Sequence, residues 1–294
     1  MIVFNGKTFA EAYSKSIEEV LKNGIINSAR GTTSRELLDV ALVVENPRSC
    51  LYQNEVRGSK LDYIAGEFLW YYMGRNDVKF ISKWAKFWEQ IQNPDGTANS
   101  AYGNLIFKRL NQYGLTQYSW VVNSLIKDPS TRQAIMHFNT PDHQYFTNKD
   151  FVCTMYASFS IRNNKLNMSV FMRSNDAIWG TPTDVAFFGS LHLQLLSHLS
   201  LNYPGLELGT YTHFANSYHI YDRHYDISQR MLEKEFIPMD LPEITVDLIN
   251  IDGTPTEDFK LMFNAVTKDP DDMLIFQNGN DLLKWIFDKT KNKK

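Results

Sequence analysis

With 294 residues, 43% of them hydrophobic, the chain is long enough to form one large domain, or one domain with an appendage. Its net charge of −3 predicts no general attraction to nucleic acid or to anionic membranes, so a phosphate site would depend on a few local arginines. Two cysteines argue against a disulfide scaffold, and no apolar run approaches the roughly 20 residues of a membrane-spanning helix. We therefore expect a cytoplasmic protein without a nucleic-acid or membrane partner.

The N-terminal segment carries clear helix signals. A capping box that begins at Thr8 and a stop at Gly24 bound an amphipathic helix over residues 9–23. Residues 28–35 break this periodicity and are predicted as a loop. Because the segment contains Gly, hydroxyl side chains and arginines, it is interpreted either as a solvated turn or as an anion-binding loop around Arg30.

Three further helices are predicted before residue 130. Residues 61–73 are apolar almost throughout, yet Glu67 lies in their midst. A buried carboxylate is rare without a partner or a function, although a helix-surface Glu with apolar neighbours is the simpler interpretation. The next helix is capped by Asn76 and extends to residue 91, and the third covers residues 102–126.

From residue 133 onwards the pattern becomes typical of strands. Residues 152–162 and 165–173 are predicted as two strands that are joined by a hairpin turn at Asn163-Asn164. The later elements are predicted as a helix over 184–202 preceded by Gly180 and Pro182, a strand over 206–218, a helix over 225–234 and a strand from Leu241. This order indicates an α+β fold with a mixed or antiparallel sheet.

Cys153 and Arg173 are the first candidates for chemistry. A free cysteine in a strand usually packs in the core, but Arg173 lies on the other strand of the predicted hairpin. A guanidinium there is expected to lower the pKa of the thiol, and it is suited to hold a phosphate. Asp184 is either an acid stabilised by the start of a helix or a group that reads a ring edge, and Asp176 could form a turn. Together these residues suggest chemistry on a nucleotide base.

Several other chemistries have little support in the sequence. No spacing of His, Cys and Glu resembles a zinc site, so no metal is expected. There is no Walker loop, no dinucleotide-binding glycine fingerprint and no Gly-x-Ser-x-Gly elbow. The sequence therefore disfavours metal-dependent, nucleoside triphosphate-dependent and serine-hydrolase mechanisms.

An ordered set of motifs resembles the thymidylate synthase superfamily over roughly residues 8–250. The matching segments are, in chain order, Arg30-Gly-Thr, Glu67-Phe-Leu-Trp70, Trp88, Asn99-Ser-Ala-Tyr102-Gly103, Asp128-Pro-Ser-Thr-Arg132, Cys153, Arg173-Ser174-x-Asp176, Gly180 and His219-Ile-Tyr221. The resemblance implies a thymidylate synthase-like fold, in which helices flank a mixed sheet and a homodimer forms through the sheet face. It also implies a catalytic domain over residues 1–250, extended by residues 251–294 with their lysine-rich end.

The same resemblance implies roles for individual residues. The catalytic residues would be Cys153, Glu67, Asp184 and Tyr102. The phosphate of a pyrimidine nucleoside monophosphate would bind Arg30, Arg173, Ser174 and, from the second subunit, Arg132. The sugar and base would contact His219, Tyr221 and Asp184, and 5,10-methylenetetrahydrofolate would lie near Asp176, Trp88 and Gly180. Gln133 departs from the family, which usually carries a second arginine there.

Asp184 indicates which base the chain would accept. Thymidylate synthases carry Asn at this position, which pairs with O4 and N3–H of uracil. A carboxyl group can instead accept from N4 of cytosine and, when protonated, donate to N3. The phage deoxycytidylate hydroxymethylases carry the same Asp, and this chain resembles them more closely through Phe151-x-Cys153-Thr and Met172-Arg-Ser-Asn-Asp176.

The expected reaction is therefore conversion of dCMP, 5,10-methylenetetrahydrofolate and water into 5-hydroxymethyl-dCMP and tetrahydrofolate. The Cys153 thiolate would add to C6 of the base. The lysine-rich end replaces the apolar tail that keeps water out of the synthases. Two alternatives stay open: reductive methylation of dUMP or dCMP, which yields dihydrofolate, and a nucleotide-binding protein that has lost catalysis.

Overall fold

The computed structural model describes residues 1–29, 31–267 and 281–291. Within these ranges the strands are, in chain order, β1 (Ile2–Gly6), β2 (Ile25–Ala29), β3 (Thr32–Val44), β4 (Leu51–Gln53), β5 (Ile135–His137), β6 (Thr154–Arg162), β7 (Lys165–Asp176), β8 (Glu207–Tyr221) and β9 (Ile237–Met239). The α-helices are α1 (Phe9–Asn23), α2 (Leu61–Tyr72), α3 (Val78–Ile81), α4 (Phe87–Ile91), α5 (Gln117–Lys127), α6 (Gly180–Ser200), α7 (Tyr225–Leu232), α8 (Glu257–Thr267) and α9 (Leu282–Thr290). This content confirms the predicted α+β class.

The described residues form two compact units, each assembled from segments that are distant in sequence. The first unit contains Met1–Ser59, Cys153–His192 and Glu207–Leu241, and the second contains Lys60–Val152, Leu193–Leu206 and the described part of Pro242–Lys294. Because each unit draws on three segments, no single linker marks a boundary in the sequence. The predicted division at residue 250 stays a prediction.

A mixed sheet forms the centre of the first unit. β3 pairs in parallel with β1 and antiparallel with β8. On its other side β8 pairs in parallel with β7, which pairs antiparallel with β6. The register sets Asp176 beside His219 and Ser174 beside Ser217. The ends of β7 and β8 therefore bring polar side chains together at one place in the sheet.

The first predicted helix is confirmed at its predicted bounds. The Thr8 hydroxyl accepts a hydrogen bond from the backbone N–H of Glu11 at 3.4 Å, and the N–H of Gly24 donates to Val20 at the other end. The apolar face of α1 is buried in the first unit. A hydrogen bond of 2.8 Å between the hydroxyls of Ser16 and Tyr218 ties α1 to β8.

The loop predicted over residues 28–35 is wrong. Strands β2 and β3 pair antiparallel through this region, with Ala29 opposite Thr32, and Gly31 has a φ of 77° between them. The hydroxyl side chains and Arg35, which suggested a loop, lie on β2 and β3, where Thr is a favourable residue. Arg30 lies outside the described residues.

The hairpin predicted around Asn163-Asn164 is confirmed. Both residues have positive φ, 51° and 57°, as a two-residue turn with the twist of a hairpin requires. Strand β7 continues to Asp176 and β8 to Tyr221, each three residues beyond its prediction. Helix α6 begins at Gly180 and not at residue 184, so Pro182 lies in its first turn, where a missing N–H is tolerated.

Two long helices predicted for the second unit are interrupted in the structure. The helix expected from Asn76 to residue 91 is divided into α3 and α4, and the Trp84 ring between them covers Gly66, where a Cβ atom would approach to 2.6 Å. The helix expected over 102–126 is a π-helix over Asn104–Lys108 followed by α5. Tertiary packing of this kind overrides helical periodicity.

The region around residue 241 differs from its prediction. The strand predicted from Leu241 is absent among the described residues near that position, and the strand lies earlier, as β9, which pairs antiparallel with β4. Helix α5 ends at Lys127, one residue beyond the predicted end at residue 126. The lysine-rich end begins inside α9, and residues 292–294 lie outside the described residues.

No helix within the described ranges is long and apolar enough to cross a membrane.

Candidate active site

Cys153 and Arg173 meet at the start of the hairpin, as predicted. The backbone N–H of Arg173 donates to the carbonyl of Cys153 at 2.9 Å, and its guanidinium Nη2 lies 3.4 Å from Sγ. The strand pairing shifts register between Thr154 and Tyr156, directly after the cysteine. Such bulges re-aim side chains next to functional sites. The pair therefore places a positive charge beside a half-buried sulfur, an environment that favours a thiolate.

The second cysteine has the opposite environment. Cys50 is buried, and burial raises the pKa of its thiol well above the usual range. A Cβ atom at Gly189 would lie 2.7 Å from the Cys50 sulfur, so this thiol packs against the glycine in α6. Both cysteines are free, as the sequence predicted. Cys153 is accordingly the cysteine suited to act as a nucleophile.

Asp184 lies one turn inside α6, beyond the first turn where the helix dipole would favour an acid. Its Oδ2 accepts a hydrogen bond of 2.8 Å from Nδ2 of the buried residue Asn175. Gly180 lies against this contact, since a Cβ atom there would come within 3.1 Å of the same nitrogen. The carboxyl is therefore held by a specific partner, which a simple helix-start acid would not need.

Asp176 and His219 face each other across the β7–β8 pair. Asp176 accepts backbone hydrogen bonds from Ile178 at 2.8 Å and Trp179 at 3.2 Å, which confirms its interpretation as a turn former. Burial lowers the pKa of His219, while the nearby Asp176 carboxylate acts to raise it. The Tyr221 ring lies edge-on to His219 with centroids 4.8 Å apart. These groups form a polar cluster at the ends of the two strands.

The predicted phosphate ligands are distributed over the described parts of the chain. Ser174 follows Arg173 on β7 and is half-buried in the first unit. Arg132 belongs to the second unit, in the segment between α5 and β5, where it is exposed. Arg30 lies outside the described residues. The structure therefore places Arg173 beside Cys153, with Ser174 following it on β7, and the phosphate-binding roles of all four residues stay predictions.

Glu67 has a partner that the sequence analysis did not identify. It is 5% exposed within α2, and its Oε1 accepts a hydrogen bond of 2.5 Å from the Tyr63 hydroxyl. The indole N–H of Trp88 donates to the same hydroxyl at 3.0 Å. Tyr63 precedes Glu67 by four residues, which is the spacing of neighbours on one helix face, so the sequence did contain this signal.

The Asn99-Ser-Ala-Tyr102-Gly103 segment lies in the second unit, where Tyr102 is buried. Tyr102 stacks on Tyr71 with ring centroids 5.5 Å apart. Before it, the Ser100 N–H donates to the buried carboxylate of Asp150 at 2.8 Å, and the Asn99 amide donates to the Asp150 carbonyl at 3.2 Å. The segment is thus fixed by aromatic stacking and by polar contacts within its own unit.

The first unit gathers most of the predicted site. Its members are Cys153, Arg173, Ser174, Asp176, Gly180, Asp184, His219 and Tyr221. Glu67, Trp88, Tyr102 and Arg132 belong to the second unit. Sequence reasoning missed Asn175 and Tyr63, and it assigned no role to Tyr211 or His213. Among the described residues, no group of three or more His, Cys, Asp or Glu side chains is arranged to hold a metal ion.

The fold has a known counterpart in nucleotide metabolism. It resembles the thermostable thymidylate synthase A of Bacillus subtilis with a TM-score of 0.64 and 23% sequence identity, covering 80% of this chain and 87% of that one. The model of the thymidylate synthase family matches residues 11–267. The chain therefore belongs to the thymidylate synthase family, whose members are one-carbon transferases that bind a pyrimidine nucleotide and use methylenetetrahydrofolate as cosubstrate.

Relatives of more than one activity are similar to the chain. The deoxyuridylate hydroxymethyltransferase of Bacillus phage SP01 is 29% identical over 237 residues, which cover 75% of this chain but 59% of that protein. The deoxycytidylate 5-hydroxymethyltransferase of Enterobacteria phage T4 is 30% identical over 202 residues, covering 66% and 78%. The thymidylate synthase of Bacillus mojavensis is 25% identical over 268 residues, covering 86% and 94%. The predicted family is thus confirmed.

Proposed function

We propose that the protein is a deoxycytidylate 5-hydroxymethyltransferase. The observation that carries this proposal is the carboxyl of Asp184, held at Oδ2 by Asn175 at 2.8 Å. A carboxyl group accepts from the N4 amino group of cytosine, whereas uracil presents an acceptor at the equivalent position. The T4 relative, at 30% identity, is an enzyme that acts on deoxycytidylate. Base recognition by Asp184 therefore favours dCMP over dUMP.

The proposed nucleophile is Cys153. Its thiolate adds to C6 of cytosine, and the Arg173 guanidinium, 3.4 Å from Sγ, stabilises the anionic sulfur. Addition at C6 makes C5 nucleophilic. C5 gains the one-carbon unit and loses its proton, and the bond from this carbon to tetrahydrofolate breaks to leave an exocyclic methylene. Water adds to that methylene, and the C6–S bond breaks. The products are 5-hydroxymethyl-dCMP and tetrahydrofolate.

The remaining residues are proposed to bind and to move protons. Arg173 and Ser174 bind the phosphate, together with Arg30 and with Arg132 of a second subunit. His219 and Tyr221 hold the sugar hydroxyl. Glu67, hydrogen bonded to Tyr63, is the proposed proton-transfer group. Tyr102 is proposed as a further catalytic residue.

The folate would supply the one-carbon unit that C5 attacks. Asp176, Trp88 and Gly180 are proposed to contact it. The chain also offers Trp179, which follows Asp176 and is 47% exposed beside the His224 ring, with centroids 4.7 Å apart. An exposed indole suits stacking against a flat pterin ring. The residues present therefore fit this cosubstrate.

We further propose that the protein is a homodimer that forms through the sheet face. Three half-buried rings from adjacent strands, Tyr156, Phe171 and Phe214, stack across one face of the sheet with centroid distances of 4.3 and 4.5 Å. Contiguous aromatic surface of this kind is typical of protein interfaces. Exposed Arg132 is the residue proposed to reach the phosphate of the other subunit.

A second candidate is hydroxymethylation of dUMP, which is favoured by the similarity to the SP01 enzyme. A third is reductive methylation, as in the thymidylate synthase relatives. Incubation with dCMP, dUMP or CMP plus methylenetetrahydrofolate, followed by product mass and an absorbance assay for dihydrofolate, separates all three. We expect dCMP to gain a hydroxymethyl group without dihydrofolate. Product from dUMP alone, or stoichiometric dihydrofolate, would overturn the proposal.

A further inference from the structure

A buried chain of hydrogen bonds leads from the core of the first unit to Asp184. The Tyr211 hydroxyl lies 2.8 Å from Nδ1 of His213, and Nε2 of His213 lies 3.0 Å from Oδ1 of Asn175. Asn175 Nδ2 then contacts Asp184 Oδ2 at 2.8 Å. Tyr211 and His213 are each 1% exposed and Asn175 is 3% exposed. These three residues therefore lie in the interior of the first unit.

The donors and acceptors along this chain run in one direction. An ionised carboxylate only accepts, so Asn175 presents its amino group to Asp184 and its oxygen to the interior. That oxygen also accepts a hydrogen bond of 2.5 Å from the Thr181 hydroxyl. Burial lowers the pKa of His213 to about 3, so the ring is neutral, with a proton on Nε2 for Asn175. Its Nδ1 consequently accepts from the Tyr211 hydroxyl.

We propose that Tyr211, His213 and Asn175 are positioning residues for base recognition, because their hydrogen-bond chain fixes the orientation of the Asp184 carboxyl. One carboxyl oxygen is committed to the protein, and the direction in which the group meets the base is set by residues that do not touch it. Gly180 makes room for the final contact, since a Cβ atom there would lie 3.1 Å from Asn175 Nδ2. The inference rests on the proposed function in taking Asp184 as the residue that reads the base.

Removal of the Tyr211 hydroxyl would break the hydrogen bond to His213 and change which ring nitrogen carries the proton. Without the Tyr211 hydroxyl, Nδ1 of His213 lacks this donor, so the Nδ1–H tautomer becomes competitive. Nε2 would then accept, and the Asn175 amide could turn its oxygen toward Asp184. The carboxyl would lose its fixed orientation, and discrimination between cytosine and uracil would weaken. A purely structural hydrogen bond would change stability and leave discrimination unchanged.

The test compares Tyr211→Phe with a matched control, Tyr118→Phe. Tyr118 is also a buried tyrosine whose hydroxyl lies 2.9 Å from Nδ1 of a histidine, His198, but it belongs to the second unit. Equilibrium binding of dCMP and of dUMP is measured by titration calorimetry, and melting temperatures are measured for each variant. We expect both variants to lose thermal stability. The ratio of the dissociation constant for dUMP to that for dCMP should fall about tenfold in Tyr211→Phe. In Tyr118→Phe this ratio should stay within about twofold of the wild-type value.

An unchanged ratio in a folded Tyr211→Phe variant overturns the inference. If that variant does not fold, Thr181→Val takes its place, because it removes the hydroxyl donor to Asn175 and keeps the side-chain volume. The proposed function is judged separately, by which nucleotide the wild type prefers. Preference for dUMP with a ratio that still shifts would refute the proposed substrate and support the positioning role. Preference for dCMP with an unchanged ratio would support the proposed substrate and refute the positioning role. No binding of either nucleotide would refute the proposed substrate and the positioning role together.

Discussion

The two cysteines differ in the properties that matter for nucleophilic attack. Cys153 is half-buried and lies 3.4 Å from the Arg173 guanidinium, whereas Cys50 is buried and its thiol pKa is raised. Replacing Cys153 with Ala is therefore expected to reduce turnover by about 10³-fold or more, because the covalent step is lost. Binding of dCMP should persist. Product formation and titration calorimetry measure the two effects.

Cys50→Ala is the matched control for this substitution. The side chain packs against Gly189, so the change is expected to cost about 1 kcal/mol of stability. Turnover by the folded Cys50→Ala variant should be unaffected, because this sulfur lies in the core. A Cys153→Ala variant that still turns over would exclude the covalent mechanism.

Asp184 is the residue on which the proposed substrate preference depends. Asn at this position could donate to O4 of uracil and accept from N3–H, whereas Asp accepts from N4 of cytosine. Changing Asp184 to Asn is therefore expected to shift the ratio of kcat/KM values from dCMP toward dUMP by about 10- to 100-fold, the effect of one good base contact. Steady-state kinetics with both nucleotides measure the shift.

Asp226→Asn provides the control. Asp226 is an exposed acid in the first turn of α7, also in the first unit, and its substitution removes the same charge from another helix of that unit. We expect no change in nucleotide preference from this variant. Equal preferences in wild type and Asp184→Asn would show that this carboxyl does not read the base.

At the scale of the element, a histidine in helix α6 makes the free energy of unfolding depend on pH. His192 is fully buried, its Nε2 donates to the carbonyl of Leu166 at 2.8 Å, and burial lowers its pKa from 6.5 to about 4. The unfolded chain binds this proton more readily, so the stabilising contribution is complete above about pH 6.5 and is lost as the pH falls toward 4. The loss is on the order of 3 kcal/mol, at about 1.4 kcal/mol for each pKa unit. Denaturant unfolding between pH 7 and pH 4 measures it.

His192→Gln tests the assignment, because an amide can keep the bond to Leu166 without titrating. The slope of unfolding free energy against pH should decrease in this variant. His137→Gln, a change on an exposed histidine of β5, should leave the slope unchanged. The same slope in wild type and His192→Gln would assign the acid sensitivity to other groups, among them His213, whose pKa burial lowers to about 3.

Elements whose ends carry local signals were predicted well. Helix α1 has its Thr8 cap and its Gly24 stop, and the Asn163-Asn164 turn fixes the β6–β7 hairpin. Elements whose structure depends on contacts with distant segments of the chain were predicted wrongly. The expected helix over 102–126 is divided into a π-helix and α5, and Ser28 and Ala29 pair with Thr33 and Thr32. Both outcomes depend on packing between segments, which local periodicity does not reveal.

At the scale of the whole molecule, the aromatic face of the sheet predicts the oligomeric state. Phe171 lies in the middle of the stacked rings, so Phe171→Asp would bury a charge in the proposed dimer interface. We expect this variant to be monomeric at concentrations where the wild type is dimeric, as measured by light scattering. Phe87→Asp, on the 50% exposed ring of α4, should remain dimeric. A monomeric wild type would contradict the proposal.

A mixing experiment tests whether Arg132 acts across the dimer. Homodimers of Arg132→Ala and of Cys153→Ala should each have low activity. After subunit exchange, half of the dimers are mixed and each holds one complete site, so activity should recover to about a quarter of wild type.

The control mixes Cys153→Ala with Arg173→Ala. Both residues belong to one site of one chain, 3.4 Å apart, so exchange should restore nothing. Failure of the first mixture to recover would show that Arg132 serves its own subunit or does not bind the phosphate.

The sequence by itself determined the family, the α+β class and the pairing of Cys153 with Arg173, because these depend on ordered motifs and on a hairpin that local turn residues specify. It also singled out two acids, Glu67 as a buried carboxylate and Asp184 as either a helix-start acid or a reader of the base, but it named a partner for neither. The spacing of Tyr63 and Glu67 is visible in the sequence, whereas only the tertiary structure decided the partner of Asp184. Tyr63 bonds Glu67 on the same helix, whereas Asp184 depends on Asn175 and, through it, on His213 from another strand. Hydrogen bonds between strands depend on register and burial, which separate segments of a chain acquire only when they pack together.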